Sequence, residues 1–206
     1  MKSIKNIYWK YRNKIINYLR GYDDTFEFPF DVNKPMPKGA EKVMQQCCLG
    51  LEKMNIRYFV TDGTALGLYR ENRFIPHDND IDVDIVDADK LEQIEDYFEN
   101  VLKMHLGRKL LYKGKIQQLI YYTDDEIIFD MVFWHKCKEG YEVRYPEFTP
   151  VCILKEEYVN NKHMYEFYGH EYPLHAPIEK WLLERYGEDW KVPKTEKGDW
   201  REDYNI

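Results

Sequence analysis

Thr61-Asp62-Gly63-Thr64-Ala65-Leu66-Gly67-Leu68-Tyr69-Arg70 and, shortly after it, Asp78-Asn79-Asp80-Ile81-Asp82-Val83-Asp84 decide how this chain is read. The apolar run before the first stretch predicts a buried strand over 56–61, and the Gly63-Thr64 turn opens a short helix over 64–71. The second stretch predicts a strand over 81–86 that carries carboxylates at alternate positions. Side chains at i and i+2 of a strand share a face, so Asp80 and Asp82 stand side by side while Ile81 and Val83 turn to the core. Two adjacent carboxylates repel unless a cation lies between them or a proton is shared. Backbone N–H groups at a helix start suit a phosphate. A divalent cation beside a phosphate cradle is equipment for phosphoryl transfer.

A third carboxylate is available. Asp130 lies in Ile127-Ile128-Phe129-Asp130-Met131-Val132-Phe133, a run that otherwise reads as a buried strand. An ionised carboxylate there is costly unless it is paired or binds a cation. If its strand lies beside that of Asp80 and Asp82, three hard oxygen donors converge, the set that Mg²⁺ or Mn²⁺ takes together with phosphate and water. The alternative is an Asp130 capped or lysine-paired at a strand end. Asp78 and Asp84 are expected as bystanders, Asp84 because a helix layer should cover it. An EF-hand reading of Asp78, Asp80, Asp82 and Asp89 fails at Val83, where the loop needs glycine. Arg70 either clamps a phosphate in bidentate fashion or pairs with Glu71 or an aspartate. His163, His170 and His175 have no metal-binding spacing and are expected on the surface or in loops.

Outward from these stretches, the periodicity predicts helices over 38–55, 88–104 and 178–186, the last stopped by Gly187. Strands are predicted over 115–122 and 126–134, joined by Thr123-Asp124-Asp125. Residues 1–20 carry Lys2, Lys5, Lys10, Arg12, Lys14 and Arg20 and no acid, with apolar residues at helical spacing. This basic amphipathic helix either packs on the domain or a partner, or rests on an anionic membrane surface. Residues 21–38, with three prolines, read as an extended linker. The expected division is therefore a basic helix and linker over 1–37, a domain over 38–193 and a polar tail over 194–206. The element order points to an α+β domain with a small mixed sheet flanked by helices.

Bulk composition narrows the partners. The 206 residues include 44% hydrophobic and 33% charged, and the net charge of −7 argues against a general nucleic-acid binder. Cys47, Cys48, Cys137 and Cys152 form no C-x-x-C pair, which suggests reduced thiols and a cytoplasmic setting. No apolar run has the length of a membrane span, and the basic N-terminus lacks the apolar core of a signal peptide.

A Gly-Thr turn on a strand, a D-h-D pair on the next and a lone Asp on a later one resembles the nucleotidyltransferase fold. The long spacer between Thr64 and Asp80 resembles the LicD family, which includes bacterial phosphorylcholine transferases, with fukutin and fukutin-related protein as relatives. Gly63, Thr64, Leu66, Gly67, Arg70, Phe74, Ile75, Pro76, Asp78, Asp80, Ile81 and Asp82 fit that family's pattern, and 167–190 is similar to its closing segment. Departures are His77 for the usual Trp, Asn79 for the middle Asp, Arg73 for Gly and Glu71 for His. The resemblance implies a transferase that moves a phospho-substituent, such as phosphocholine or phosphoribitol, from a CDP-linked donor to a glycan or glycolipid hydroxyl. It implies Mg²⁺ or Mn²⁺ on Asp80 and Asp82, with Asp130 either completing the metal site or taking the acceptor's proton, and phosphate contacts from Gly63, Thr64 and Arg70. Cell-surface polysaccharide decoration is the implied setting. Transfer of a nucleotidyl group, or a non-catalytic nucleotide- or glycan-binding module of the same fold, are the alternatives.

Overall fold

A computed structural model describes residues 14–86, 89–147 and 151–194. After a helical stretch at 14–19, the order is β1 (Tyr22–Phe26), α1 (Ala40–Lys53), β2 (Arg57–Val60), α2 (Asp62–Glu71), β3 (Asp80–Val86) and α3 (Leu91–Asp96). A π-helical turn over Tyr97–Val101 extends α3. Then come β4 (His105–Tyr112), β5 (Lys115–Tyr122), β6 (Ile128–Cys137), β7 (Gly140–Val143), β8 (Cys152–Leu154), α4 (Glu156–Asn160), β9 (Lys162–Phe167), β10 (His170–His175) and α5 (Ile178–Tyr186).

The strands form one mixed sheet in the order β1-β4-β5-β6-β3-β2-β10-β9, and β7 and β8 extend from the far end of β6. The β3–β6 and β2–β10 pairs are parallel and the others antiparallel. The α+β class and the mixed sheet are as the sequence implies, but the sheet is larger than the small one expected. One face of its centre is fully apolar: Ile81, Val83, Ile85, Leu119, Tyr121, Phe129, Met131 and Phe133 have no exposed surface. Burying each such side chain contributes about 1.5–3 kcal/mol, so this face anchors the domain. The other face carries the polar chemistry.

Two elements differ from the sequence reading. The segment read as a linker contains β1, which pairs with β4 from Tyr22↔Tyr112 to Phe26↔Arg108. The helix expected to reach residue 104 ends at Val101, where Lys103 takes φ 57° and the Met104 N–H bonds the Phe98 carbonyl at 2.9 Å. Leaving the helix there releases 105–112 to form β4. The start of that expected helix, residue 88, lies outside the described residues, as do 1–13 and 195–206.

Candidate functional site

Strands β3 and β6 run side by side in register, with Asp80 opposite Ile128 and Asp82 opposite Asp130. Registered neighbours share a face, so Asp80, Asp82 and Asp130 point the same way, opposite the apolar face. Among the described residues, the carboxylates whose oxygens gather within 4.8 Å of one another are those of Asp78, Asp80 and Asp82. Asp78, expected as a bystander, is thus one of the three, and Asp130 stands beside the group rather than within it. The chain before α1 holds Asp78 in place. The Met36 N–H bonds the Asp78 carbonyl at 2.7 Å, and Asn79 Nδ2 bonds the Val32 carbonyl at 2.6 Å.

The strand-to-helix elbow is built for these acids. Thr61 is extended and Asp62 takes φ 45°, a left-handed value that non-glycine residues seldom adopt. The helix therefore starts at Asp62, and Gly63 lies in its first turn rather than before it. A Cβ on Gly63 would collide with the Asp78 carboxylate. Thr64 Oγ1 accepts the Asp82 N–H at 2.9 Å and lies 3.4 Å from Asp82 Oδ2. So the Gly-Thr pair makes room for one acid and fixes the backbone of another. Gly67 serves the same geometry further along: a Cβ there would lie 2.6 Å from the Arg73 carbonyl, where the 73–75 loop crosses α2.

Burial, and after it the carboxylates of Asp80, Asp78, Asp62 and Asp130, hold the Asp82 carboxyl well above the ordinary range. Burial and then Asp80 push Asp130 up to about 8, against the pull of Gln118 and Arg108. Those two opposing groups belong to a chain of side chains across four strands. Asp24 on β1 takes Arg108 Nε and Nη2 at 2.9 Å each. Arg108 Nη1 donates to Gln118 Oε1 at 3.0 Å, and Gln118 Nε2 donates to Asp130 Oδ2 at 2.6 Å. Asp130 Oδ2 is thereby pinned, while the buried Oδ1 has no protein partner.

One turn of β3 further on the pattern changes. Asp84 is 3% exposed and its Oδ2 lies 2.7 Å from Nε2 of His175, which is fully buried. His175 Nδ1 donates to the Tyr158 carbonyl at 3.0 Å, and its ring stacks on Phe59 at 4.5 Å. The sequence reading that put His175 on the surface or in a loop is wrong; pairing with Asp84 is what permits its burial. Asp84 is covered, as expected, but by this histidine. Asp62 likewise meets Arg185 Nη2 at 2.6 Å. Arg70 donates to Glu71 Oε1 through Nε at 2.9 Å and to the Trp190 carbonyl through Nη1 at 3.1 Å.

Sequence reasoning passed over Gln118 and Arg108 and misplaced His175. A signal existed for two of them: a polar residue inside an otherwise apolar strand, Gln118 before Leu119-Ile120 and His175 after Pro173-Leu174. The donor set itself fits a hard divalent cation. It offers three carboxylates within reach of one point, and next to them a buried carboxylate oxygen that no protein donor satisfies.

Comparison with known proteins identifies the family. The family described as LicD/FKTN/FKRP, nucleotidyltransferase domain, matches residues 55–177. Ribitol-5-phosphate transferase FKTN of Homo sapiens is 25% identical over 185 residues, 80% of this chain and 35% of that protein. An uncharacterized protein of Rickettsia typhi is 32% identical over 125 residues, 60% of this chain and 34% of that one. The chain spans about a third of the length of these relatives. Among solved structures, the lincomycin-bound lincosamide antibiotic adenylyltransferase LnuA overlaps with a TM-score of 0.47 at 10% identity, covering 73% of this chain and 87% of that one. The chain belongs to the LicD/FKTN/FKRP family, and its domain is of the nucleotidyltransferase type.

Proposed function

We propose that this member of the LicD/FKTN/FKRP family is a metal-dependent phosphotransferase. It moves a phospho-substituent from a CDP-activated donor to the hydroxyl of a glycan or glycolipid. The observation that carries the reading is the group of Asp78, Asp80 and Asp82 oxygens within 4.8 Å, beside the unsatisfied Oδ1 of Asp130. Phosphoribitol is the headgroup that the FKTN relative's name supports, with phosphocholine as the family's other case.

In this reading Asp78, Asp80 and Asp82 hold a divalent cation, Mg²⁺ or Mn²⁺. When bound, the cation neutralises the donor's diphosphate and the charge that develops on the departing CMP. Asp130 either adds a ligand through Oδ1 or takes the proton of the acceptor hydroxyl; a carboxyl near pH 8 is matched to proton transfer at neutrality. The first-turn N–H groups of α2 around Gly63 and Thr64 face the phosphate. The Thr64 hydroxyl serves chiefly to hold Asp82. Arg70 reaches a phosphate by exchanging Glu71 for it, one anion for another on the same guanidinium.

Residues 14–19 support peripheral membrane contact through 1–20: Ile15, Tyr18 and Leu19 are 60%, 73% and 78% exposed beside Lys14 and Arg20. No helix among the described residues is long and apolar enough to cross a membrane. All four cysteines are free, which suits a cytoplasmic setting.

A panel of CDP-linked donors incubated with Mg²⁺ and glycan acceptors tests the reading. Free CMP with a phospho-substituted glycan is the expected result. Release of the free phospho-headgroup with a cytidylylated glycan would replace it with nucleotidyl transfer, and no metal-dependent nucleotide binding at all would replace it with a binding module.

A further inference from the structure

We infer that the aromatic cleft at the β5–β6 turn is a carbohydrate subsite, one that seats a neutral sugar ring of the acceptor beside the acidic group. This assignment rests on the transferase reading above and adds the location and chemistry of the acceptor. The cleft has a volume of about 360 Å³, and Phe30, His105, Tyr122, Asp124 and Glu126 are among the residues that line it. Its aromatic residues pack together and onto Phe28. Phe30 meets Tyr122 edge-on at 5.2 Å, Phe28 lies 5.5 Å from Tyr122, and His105 lies 5.2 Å from it. Gly107 makes this possible, because a Cβ there would overlap the Phe28 ring.

The strand register ties the cleft to the acids. His105 is opposite Tyr122, Tyr122 opposite Ile128, and Ile128 opposite Asp80. This single row puts Tyr122 and Asp80 on one face, two strands apart. At the usual strand spacing that is about 10 Å, the span of one or two sugar rings. A second, smaller cavity shares Phe30 and Glu126 with it and reaches Asn79 and Ile128, the residues beside and opposite Asp80.

The chemistry of the walls selects the occupant. A pyranose offers a face of C–H bonds to aromatic rings and a rim of hydroxyls to hydrogen-bond acceptors. Here the rim carries carboxylates: Asp124, 2.7 Å from His105 Nε2, and Glu126, 3.2 Å from Lys34 Nζ. Each carboxylate keeps acceptor capacity for a hydroxyl. Lys34 and His105 are already engaged by Glu126 and Asp124, so the walls suit a neutral ring better than a phosphate.

The test is a titration of the ¹⁵N-labelled full chain with methyl β-D-galactopyranoside, methyl β-D-glucopyranoside and methyl N-acetyl-β-D-glucosaminide. It is followed by titration with CDP in the presence of Mg²⁺. At least one glycoside should shift the amides of Tyr122 to Glu126 saturably, while CDP shifts those of Asp78 to Asp82. Tyr122→Ala and the packing-preserving Glu126→Gln should each weaken the glycoside by about threefold to tenfold and leave CDP binding unchanged. Silence of the 122–126 amides to all three glycosides, or their response to CDP instead, would overturn the subsite and leave the transferase reading standing. Absence of metal-dependent CDP shifts would remove the transferase reading, and glycoside binding would then mark a carbohydrate site without it.

Discussion

Asp82 and Asp84 are two residues apart on β3 and share a face of the sheet, yet they live in opposite electrostatic worlds. Asp84 is buried against His175, whose other nitrogen is spent on a backbone carbonyl. The charges set around Asp82 are those of Asp80, Asp78, Asp62 and Asp130, all of which oppose its ionisation. A fold gains nothing by crowding carboxylates. The difference therefore separates an acid that ties β3 to β10 from acids that, in the proposed reading, are kept together for a cation. Asp62 and Asp24 fall with Asp84, each gripped by an arginine, Arg185 and Arg108.

Substitutions that treat the two aspartates as equals should break this contrast. The largest effect is expected from Asp82→Asn, which should lower metal-dependent CMP release by about 10³-fold. The circular dichroism spectrum and urea midpoint should stay close to wild type. Equal turnover in this variant would remove the acid from the site.

His175→Ala should behave in the opposite way, because it leaves Asp84 buried without its partner. A loss of about 3 kcal/mol in unfolding free energy, read by urea titration, is expected. Activity per folded molecule should fall much less than in Asp82→Asn.

The acid group also predicts a pH response. A cation ligated through Asp130 Oδ1 displaces the proton that this carboxyl holds up to about pH 8, and Asp82, held well above the ordinary range, adds to the effect. Mg²⁺ affinity should therefore rise by about tenfold or more per pH unit below 8, as calorimetry across pH 6 to 9 would record. For the metal-free protein the sign reverses. A carboxyl raised from 3.8 to about 8 binds its proton more tightly folded than unfolded. Its contribution to stability is complete below pH 3.8 and is lost as pH climbs through 8.

The smallest effect concerns the chain that pins Asp130. Gln118→Leu removes the donor to Oδ2 and should cut turnover by about fivefold, less than loss of any carboxylate. Together with that loss, the pH at half-maximal activity should move up, since Gln118 lowers the Asp130 pKa. A purely structural glutamine would alter stability without moving the profile.

The sequence made some of this readable and hid the rest for physical reasons. Alternation of aspartate with Ile81 and Val83 reports the strand and its faces because the period of a strand is local. So does Gly187 at the end of α5, and 115–122 emerges with the bounds expected of it. Asp78 escaped because it precedes β3. What brings it in are two hydrogen bonds from a segment more than 40 residues earlier, and no local pattern encodes them. His175 escaped for the same reason, its burial being permitted by an aspartate 91 positions away. The edge strand β1 and its neighbour β4 were missed because charges at several positions spoil their alternation: Asp23 and Asp24 in one, Arg108 and Lys109 in the other.

Titration of Mn²⁺ into the metal-free protein, followed by electron paramagnetic resonance, tests the central claim most directly. The account predicts one saturable ion per chain, bound at least tenfold more weakly by both Asp80→Asn and Asp82→Asn, with Asp84→Asn close to wild type. An ion bound equally well by all four proteins, or none bound by the wild type, would contradict it.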